Sequence, residues 1–168
     1  PDLAGKKGRV IELGVGSGAV IISLAKACPA HSYFGSDISS VALATASANA
    51  VVLLDTPVGF FQGAWLSAVP RQPMFDLILS NPPYIPSADI DTLAPEIKDF
   101  EPRLALDGGA DGLDDIRVIV DQAGERLVDG GHLMIEMGYD QKPGVESIAQ
   151  GVSWVSHLEF IKDLAGHN

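Results

Sequence analysis

FDLILSNPPYI, residues Phe75 to Ile85, decides how this chain folds. A short apolar run, Leu77 to Leu79, stops abruptly at Asn81-Pro82-Pro83-Tyr84. The run has the length and residue types of a buried parallel strand, and the tetrapeptide falls where such a strand leaves its sheet. In open α/β sheets, ligands bind outside the carboxyl ends of the strands. The two prolines fix φ, remove two backbone donors and push Asn81 out of helical geometry. What remains is a rigid lip of acceptors, the Asn81 side-chain oxygen and the Pro82 carbonyl, with the Tyr84 ring beside them. Such a lip suits a planar NH2 group, which has two hydrogens to donate and two faces to stack. An ordinary proline-rich turn has the same local spelling, so the rest of the chain must separate the two readings.

Upstream, Arg9-Val10-Ile11-Glu12-Leu13 reads as a first strand, and Gly14-Val15-Gly16-Ser17-Gly18 follows at once. From Ala19 the apolar residues run into a helix that ends at Cys28-Pro29. Strand, glycine turn and helix together are the context that raises a glycine motif above chance. The glycines permit a tight turn and a close backbone approach to a ligand at the positive end of the helix. A second strand, His31 to Ser36, brings Asp37 to its end. Asp37 stands about twenty residues past the turn, where a carboxylate accepts from ribose hydroxyls. The competing reading, that it simply opens the turn into a helix that Ser39 caps, is the weaker of the two. That helix, Ser40 to Leu53, is alanine-rich and amphipathic enough to pack on a sheet. Val58 to Gln62 is the third strand, followed by Gly63-Ala64-Trp65. The Trp65 ring either covers a purine or fills the core, as large aromatics commonly do.

Downstream of the lip runs a long polar loop, Pro86 to Pro102, with one helical turn expected at Asp89 to Leu93. Ordered loops of such length tend to be functional lids. After a glycine- and aspartate-rich turn, Asp107 to Gly112, a helix is expected from Leu113 to Val128, stopped by Gly130-Gly131. A fifth strand at Leu133 to Met137, a short helix at Gly144 to Gln150 and a sixth strand at Ser153 to Asp163 complete the reading. The closing Ala165-Gly166-His167-Asn168 is spelled like a turn with no strand behind it, as expected of a shortened chain.

With 168 residues, 46% of them hydrophobic, the chain has enough material for one domain over 1–168. Lys26 interrupts the longest apolar run, so no membrane span is expected, and without a basic-then-apolar leader a cytoplasmic protein is. The single cysteine, Cys28, excludes an internal disulfide and any multi-cysteine metal site. His31, His132, His157 and His167 lack the i, i+4 spacing of a helical zinc pair, so a metal-free protein is expected. The formal charge of −11, from 22 acidic and 11 basic residues, repels a phosphate backbone and weighs against a nucleic-acid substrate.

The order of elements describes an α/β fold with a doubly wound, mostly parallel sheet that binds a nucleotide. Two cofactors compete for it. Gly14, Gly16 and Ala19 satisfy a looser dinucleotide fingerprint, yet Gly18 falls one position early and Glu12 stands inside the first strand's end. Those features, with the lip on the fourth strand, resemble class I S-adenosyl-L-methionine-dependent methyltransferases that act on amino or amide nitrogen. The resemblance sharpens over Asp99 to Asp114, DFEPRLALDGGADGLD. This segment is similar to the one that follows the lip in the protein-(glutamine-N5) methyltransferases of peptide chain release factors. Agreement runs from about Arg9 to about Asp163.

The resemblance implies cofactor contacts at Glu12, Gly14, Val15, Gly16, Ser17, Gly18, Asp37, Trp65 and Asn81. It implies a substrate glutamine held by Asn81, Pro82, Pro83 and Tyr84, with Asn81, Pro82 and Tyr84 catalytic. The implied partner is a class I release factor, methylated in its Gly-Gly-Gln loop, with no direct nucleic acid and no membrane. Three departures accompany it. Ala64 stands where such enzymes usually carry an acidic acceptor for the adenine amino group, a loss of about 1 kcal/mol of affinity. The family's helical N-terminal domain and its hairpin linker are not in this sequence. The last strand of the family's sheet, between the fifth and sixth, is missing too, which leaves Ser153 to Asp163 weakly held. Other readings open at this point are a glutamine methyltransferase of a ribosomal protein, an N-methyltransferase of nucleic acid, a nicotinamide oxidoreductase, and a fragment that binds cofactor without turnover.

Overall fold

A computed structural model describes residues 7–98 and 101–162, in which strands and helices are interspersed along the chain. In order they are β1 (Arg9–Leu13), α1 (Ala19–Ala27), β2 (Ser32–Asp37), α2 (Ser40–Leu53), β3 (Val58–Gln62) and β4 (Phe75–Ser80). Then come α3 (Pro95–Lys98), α4 (Asp114–Ala123), β5 (Leu127–Ile135) and α5 (Lys142–Gln150). Short 3-10 turns lie at Ile90–Thr92 and Arg103–Ala105. The chain divides into two compact units, Pro1–Ser80 with Glu125–Met134, and Asn81–Gly124 with Ile135–Asn168.

The first unit is built on the sheet, whose order is β3-β2-β1-β4-β5. β1 pairs in parallel with β2 on one side and β4 on the other, and β2 pairs in parallel with β3. A central parallel strand has both faces covered, which is why Val10, Ile11 and Leu13 are all buried. The chain winds outward from β1 through β2 to β3, then returns to start again at β4. The switch point therefore lies between β1 and β4. Val10, Tyr33 and Leu77 of the sheet pack with Ile21, Ile22 and Ala25 of α1 and with Ala46 and Ala50 of α2. α2 buries Ala46 and Ala50 in that core and packs Leu43 against it, while Val41, Val51 and Val52 face outward. Its first turn is capped as the sequence spells it, with Ser39 Oγ accepting from the Ala42 N–H at 3.2 Å.

In the second unit, Ile116, Ile119, Val120 and Ala123 of α4 are buried, as is Ala149 of α5. α4 ends well short of the expected Val128. Its C-cap is Gly124, where an added Cβ would lie 2.7 Å from Cγ of Trp154, so the indole occupies the space a side chain would need. In the first unit the Arg126 carbonyl accepts from the N–H groups of Met74 and Phe75, at 2.8 and 3.0 Å. Pairing at the start of β4 draws the following residues into β5, six residues earlier than the expected Leu133. The expected sixth strand does not form. Residues 155–162 form no regular element and join no ladder among the described residues, and alternation without a partner is not a strand. Asp163, its expected end, and the closing turn at Ala165–Asn168 lie outside the described residues. No described helix is long and apolar enough to cross a membrane.

Candidate active site

The predicted site residues fall into two groups, one in each unit. In the first unit the turn Gly14–Gly18 joins the end of β1 to the start of α1. It is stitched to β2 and α2. The Val15 N–H donates to the Ser36 carbonyl at 3.0 Å, the Gly16 N–H to Asp37 Oδ2 at 3.0 Å, and Asn49 Nδ2 to the Ser17 carbonyl at 2.9 Å. Gly18 is the N-cap of α1 at φ +83°, and a Cβ there would lie 2.8 Å from Cδ1 of Ile22. Only glycine meets both the left-handed backbone and the close contact with the helix.

A glycine N-cap has no side chain to satisfy the orphan donors of the helix. Glu12 supplies that acceptor from the sheet. Its Oε2 accepts from the Ile21 N–H at 2.9 Å, at the third position of α1. The Glu12 side chain is buried, and burial pushes its pKa up to about 7, against the opposing effect of the Ile21 hydrogen bond. One carboxylate thus holds the glycine turn at the helix's positive end from beneath.

Asp37 ends β2, with Oδ2 on Gly16 and Oδ1 accepting from the Ser39 N–H at 2.8 Å. It opens the turn into α2 and braces the glycine turn at once, and two lone-pair directions remain for ribose hydroxyls. Trp65 adopts φ +51°, and Ser36 Oγ donates to its carbonyl at 3.2 Å. A Cβ on Gly14 would touch the indole at 3.4 Å, which places the ring beside the exit of β1. At Gly16 an added Cβ would meet nothing within 4 Å, so the space over the turn is open. An open glycine turn, a carboxylate with spare acceptor capacity and an adjacent indole fit a nucleoside cofactor.

In the second unit Asn81 is exposed and Pro82 is fully buried. The side-chain amide of Asn81 bonds to no other described residue, so its oxygen is available to a ligand. Tyr84 is held at both ends: its carbonyl accepts from Gln141 Nε2 at 2.8 Å, and its phenol donates to Glu136 Oε1 at 3.3 Å. Burial raises the Tyr84 pKa, and the Glu136 carboxylate adds to the shift. The lip is braced from the Asp107–Gly112 turn as well. Ile85 and Asp107 form a parallel bridge, with the Ile85 N–H donating to Leu106 at 3.0 Å and the Gly108 N–H to Ile85 at 2.9 Å. Gly112, at φ +74°, stands so close that any Cβ would run into the Tyr84 carbonyl.

Sequence reading missed Asn49, Ser36, Ser80, Glu136 and Gln141. Each acts on a residue at least 29 positions away, and no local pattern marks such a partner.

The family model described as the methyltransferase small domain matches residues 2–98. The chain belongs to that family. Among solved structures, this methyltransferase domain shares its fold with a ribosomal protein L11 methylase from Lactobacillus delbrueckii subsp. bulgaricus. There the TM-score is 0.62 at 19% identity, over 88% of this chain and 61% of that one. A precorrin-6y C5,15-methyltransferase from Geobacter metallireducens matches with a TM-score of 0.59 at 12% identity, over 86% and 62%. The domain has the class I methyltransferase architecture. In sequence it is 42% identical over 159 residues to the release factor glutamine methyltransferase of Gloeobacter violaceus, covering 94% of this chain and 55% of the relative. The protein of the same name from Geobacter sulfurreducens is 47% identical over 132 residues, covering 79% and 46%. The chain spans about half the length of the curated relatives it matches.

Proposed function

We propose that this chain is the catalytic domain of a cytoplasmic enzyme that methylates the side-chain amide nitrogen of a glutamine in peptide chain release factors. The observation that carries the reading is the lip. Asn81 follows directly on a central strand, its amide is exposed and unbonded to other described residues, and Tyr84 beside it is fixed at both ends. Relatives named release factor glutamine methyltransferase, at 42% and 47% identity, support it.

S-adenosylmethionine, when bound, supplies a methyl group made electrophilic by its sulfonium. Gly14 to Gly18 would cradle it, Asp37 would accept from its ribose and the Trp65 indole would cover its adenine. A carboxamide nitrogen is a weak nucleophile because its lone pair is delocalised into the carbonyl. The Asn81 oxygen and the Pro82 carbonyl, each accepting one N–H, would hold the amide and raise electron density on nitrogen. Tyr84 would pack against the amide plane. Held so, the nitrogen would be placed to take the methyl group as the carbon–sulfur bond breaks and the sulfonium becomes a neutral thioether, and one of its two protons would pass to water. Alignment does most of the work, and well-placed reactants gain roughly 7–11 kcal/mol from it. The charge of −11 disfavours RNA and DNA as substrates.

Transfer of labelled methyl from S-adenosylmethionine tests the reading. Label should enter unmodified release factor at its Gly-Gly-Gln glutamine, with ribosomal proteins and RNA offered in parallel. Label in ribosomal protein or RNA in its place overturns the substrate, and binding of NAD in preference to S-adenosylmethionine overturns the chemistry.

A further inference from the structure

We propose that Gln141 is a positioning residue for methyl transfer, acting on the lip through the Tyr84 carbonyl. The inference rests on the reading of Asn81 to Tyr84 as the amide-binding lip. Gln141 lies just before α5 and is buried. Its Oε1 accepts from the Gly138 N–H at 2.8 Å. Its Nε2 faces three carbonyls, Tyr84 at 2.8 Å, Gly112 at 3.2 Å and Asp111 at 3.4 Å.

The surroundings allow only one orientation of this amide. Three carbonyls require a donor, and the Gly138 N–H requires an acceptor. A carboxylate at this position would turn an oxygen toward three other oxygens. An aliphatic side chain would leave buried carbonyls without partners. The same short loop also supplies Glu136, whose carboxylate holds the Tyr84 phenol at 3.3 Å. Main chain and side chain of one lip residue are thus both set by the segment 136–141. Gln141 ties that segment to the Asp107–Gly112 turn through the Asp111 and Gly112 carbonyls. Transfer to a weak nucleophile is sensitive to this, because a shift of roughly 1 Å in a reacting group can lower a rate about 10²-fold. None of the residues Gln141 touches belongs to the glycine turn or to Asp37. Its effect should therefore fall on turnover and not on cofactor affinity.

The test is Gln141→Glu in the full chain, with kcat, peptide KM, S-adenosylmethionine Kd and Tm measured across pH on a glutamine peptide from the release factor loop. At neutral pH kcat should fall at least about tenfold, the size of one or two lost hydrogen bonds to buried carbonyls. KM and Kd should stay within about threefold. Acidification should bring kcat back toward wild type, because a protonated glutamate regains an O–H to donate to Tyr84. A fall in Tm with kcat unchanged, or a kcat loss indifferent to pH, overturns the proposal. If wild-type protein methylates no glutamine substrate, the functional reading fails, and amide exchange then judges the inference. Gln141→Glu must speed deuterium exchange at the Ile85 and Gly112 N–H groups while β1 stays protected; unchanged exchange there overturns it.

Discussion

Ser80 Oγ donates a 3.0 Å hydrogen bond to the Leu13 carbonyl, and the two residues are register partners on adjacent parallel strands. Each is the last residue of its strand. Beyond Leu13 the chain continues as the glycine turn, and beyond Ser80 it continues as Asn81. The buried hydroxyl therefore ties the end of β1 to the end of β4 within the sheet. Ser80→Ala should lower stability by about 1 kcal/mol and reduce the rate of methyl transfer. A denaturant midpoint and initial rate equal to wild type would sink this assignment.

Glu12 makes stability depend on pH in an unusual direction. A glutamate ordinarily titrates near 4.5, while in the fold Glu12 keeps its proton up to about pH 7. Between those values the folded chain binds more protons than the unfolded one. The group's contribution is therefore full below pH 4.5 and is lost as pH rises toward 7. At 1.36 kcal/mol per unit the window is worth roughly 3 kcal/mol. Glu12→Gln keeps a carbonyl for the Ile21 N–H and does not titrate. The stability of this variant relative to wild type should climb across the window by up to that amount, followed by urea unfolding at each pH. A difference that stays constant with pH would contradict the burial of the charge.

The two glycines of the turn should respond differently to alanine. At Gly18 the new Cβ would meet Cδ1 of Ile22 at 2.8 Å and Cβ of Ala46 at 3.2 Å, on top of a positive φ. A loss of about 2–4 kcal/mol is expected from strain and overpacking together. At Gly16 the Cβ would enter open space, so only the backbone strain of about 1–2 kcal/mol applies. On the proposed reading, that methyl group would instead occupy the open space over the turn where the cofactor is placed. Gly16→Ala should thus weaken S-adenosylmethionine binding more than its stability loss foretells, as read by calorimetric titration. Equal stability losses at both positions would argue against the packing role of Gly18.

Asn81 and Asp37 should separate turnover from cofactor binding. Asn81→Ala is expected to lower turnover by about 10²–10³, by analogy with removal of an oxyanion-hole donor, with a much smaller change in cofactor affinity. Asp37→Ala should do the reverse, weakening cofactor binding first. It loses the brackets on Gly16 and Ser39 as well as the acceptor proposed for the ribose. Steady-state rates beside equilibrium titrations distinguish the two patterns, and unchanged turnover in Asn81→Ala would refute its role.

Sequence alone determined the elements whose signals lie within a few neighbouring residues. Arg9–Leu13, Ser40–Leu53 and Val58–Gln62 have the bounds their patterns spell. The glycine turn, Asp37 at the end of β2 and the proline-locked lip are equally local, because apolar period, glycine spacing and fixed φ act over single turns of chain. Only the tertiary structure decided where α4 stops, because Gly124 yields its space to an indole thirty residues on. It alone decided that β5 begins at Leu127 and that residues 155–162 join no ladder among the described residues, since a ladder needs a neighbour the pattern cannot name. The bonds that set the site are of the same kind. Ser80 reaches Leu13 across 67 residues and Gln141 reaches Tyr84 across 57. Hydrogen bonds between distant segments exist only once folding has brought their donors and acceptors together, and no stretch of either segment encodes the other.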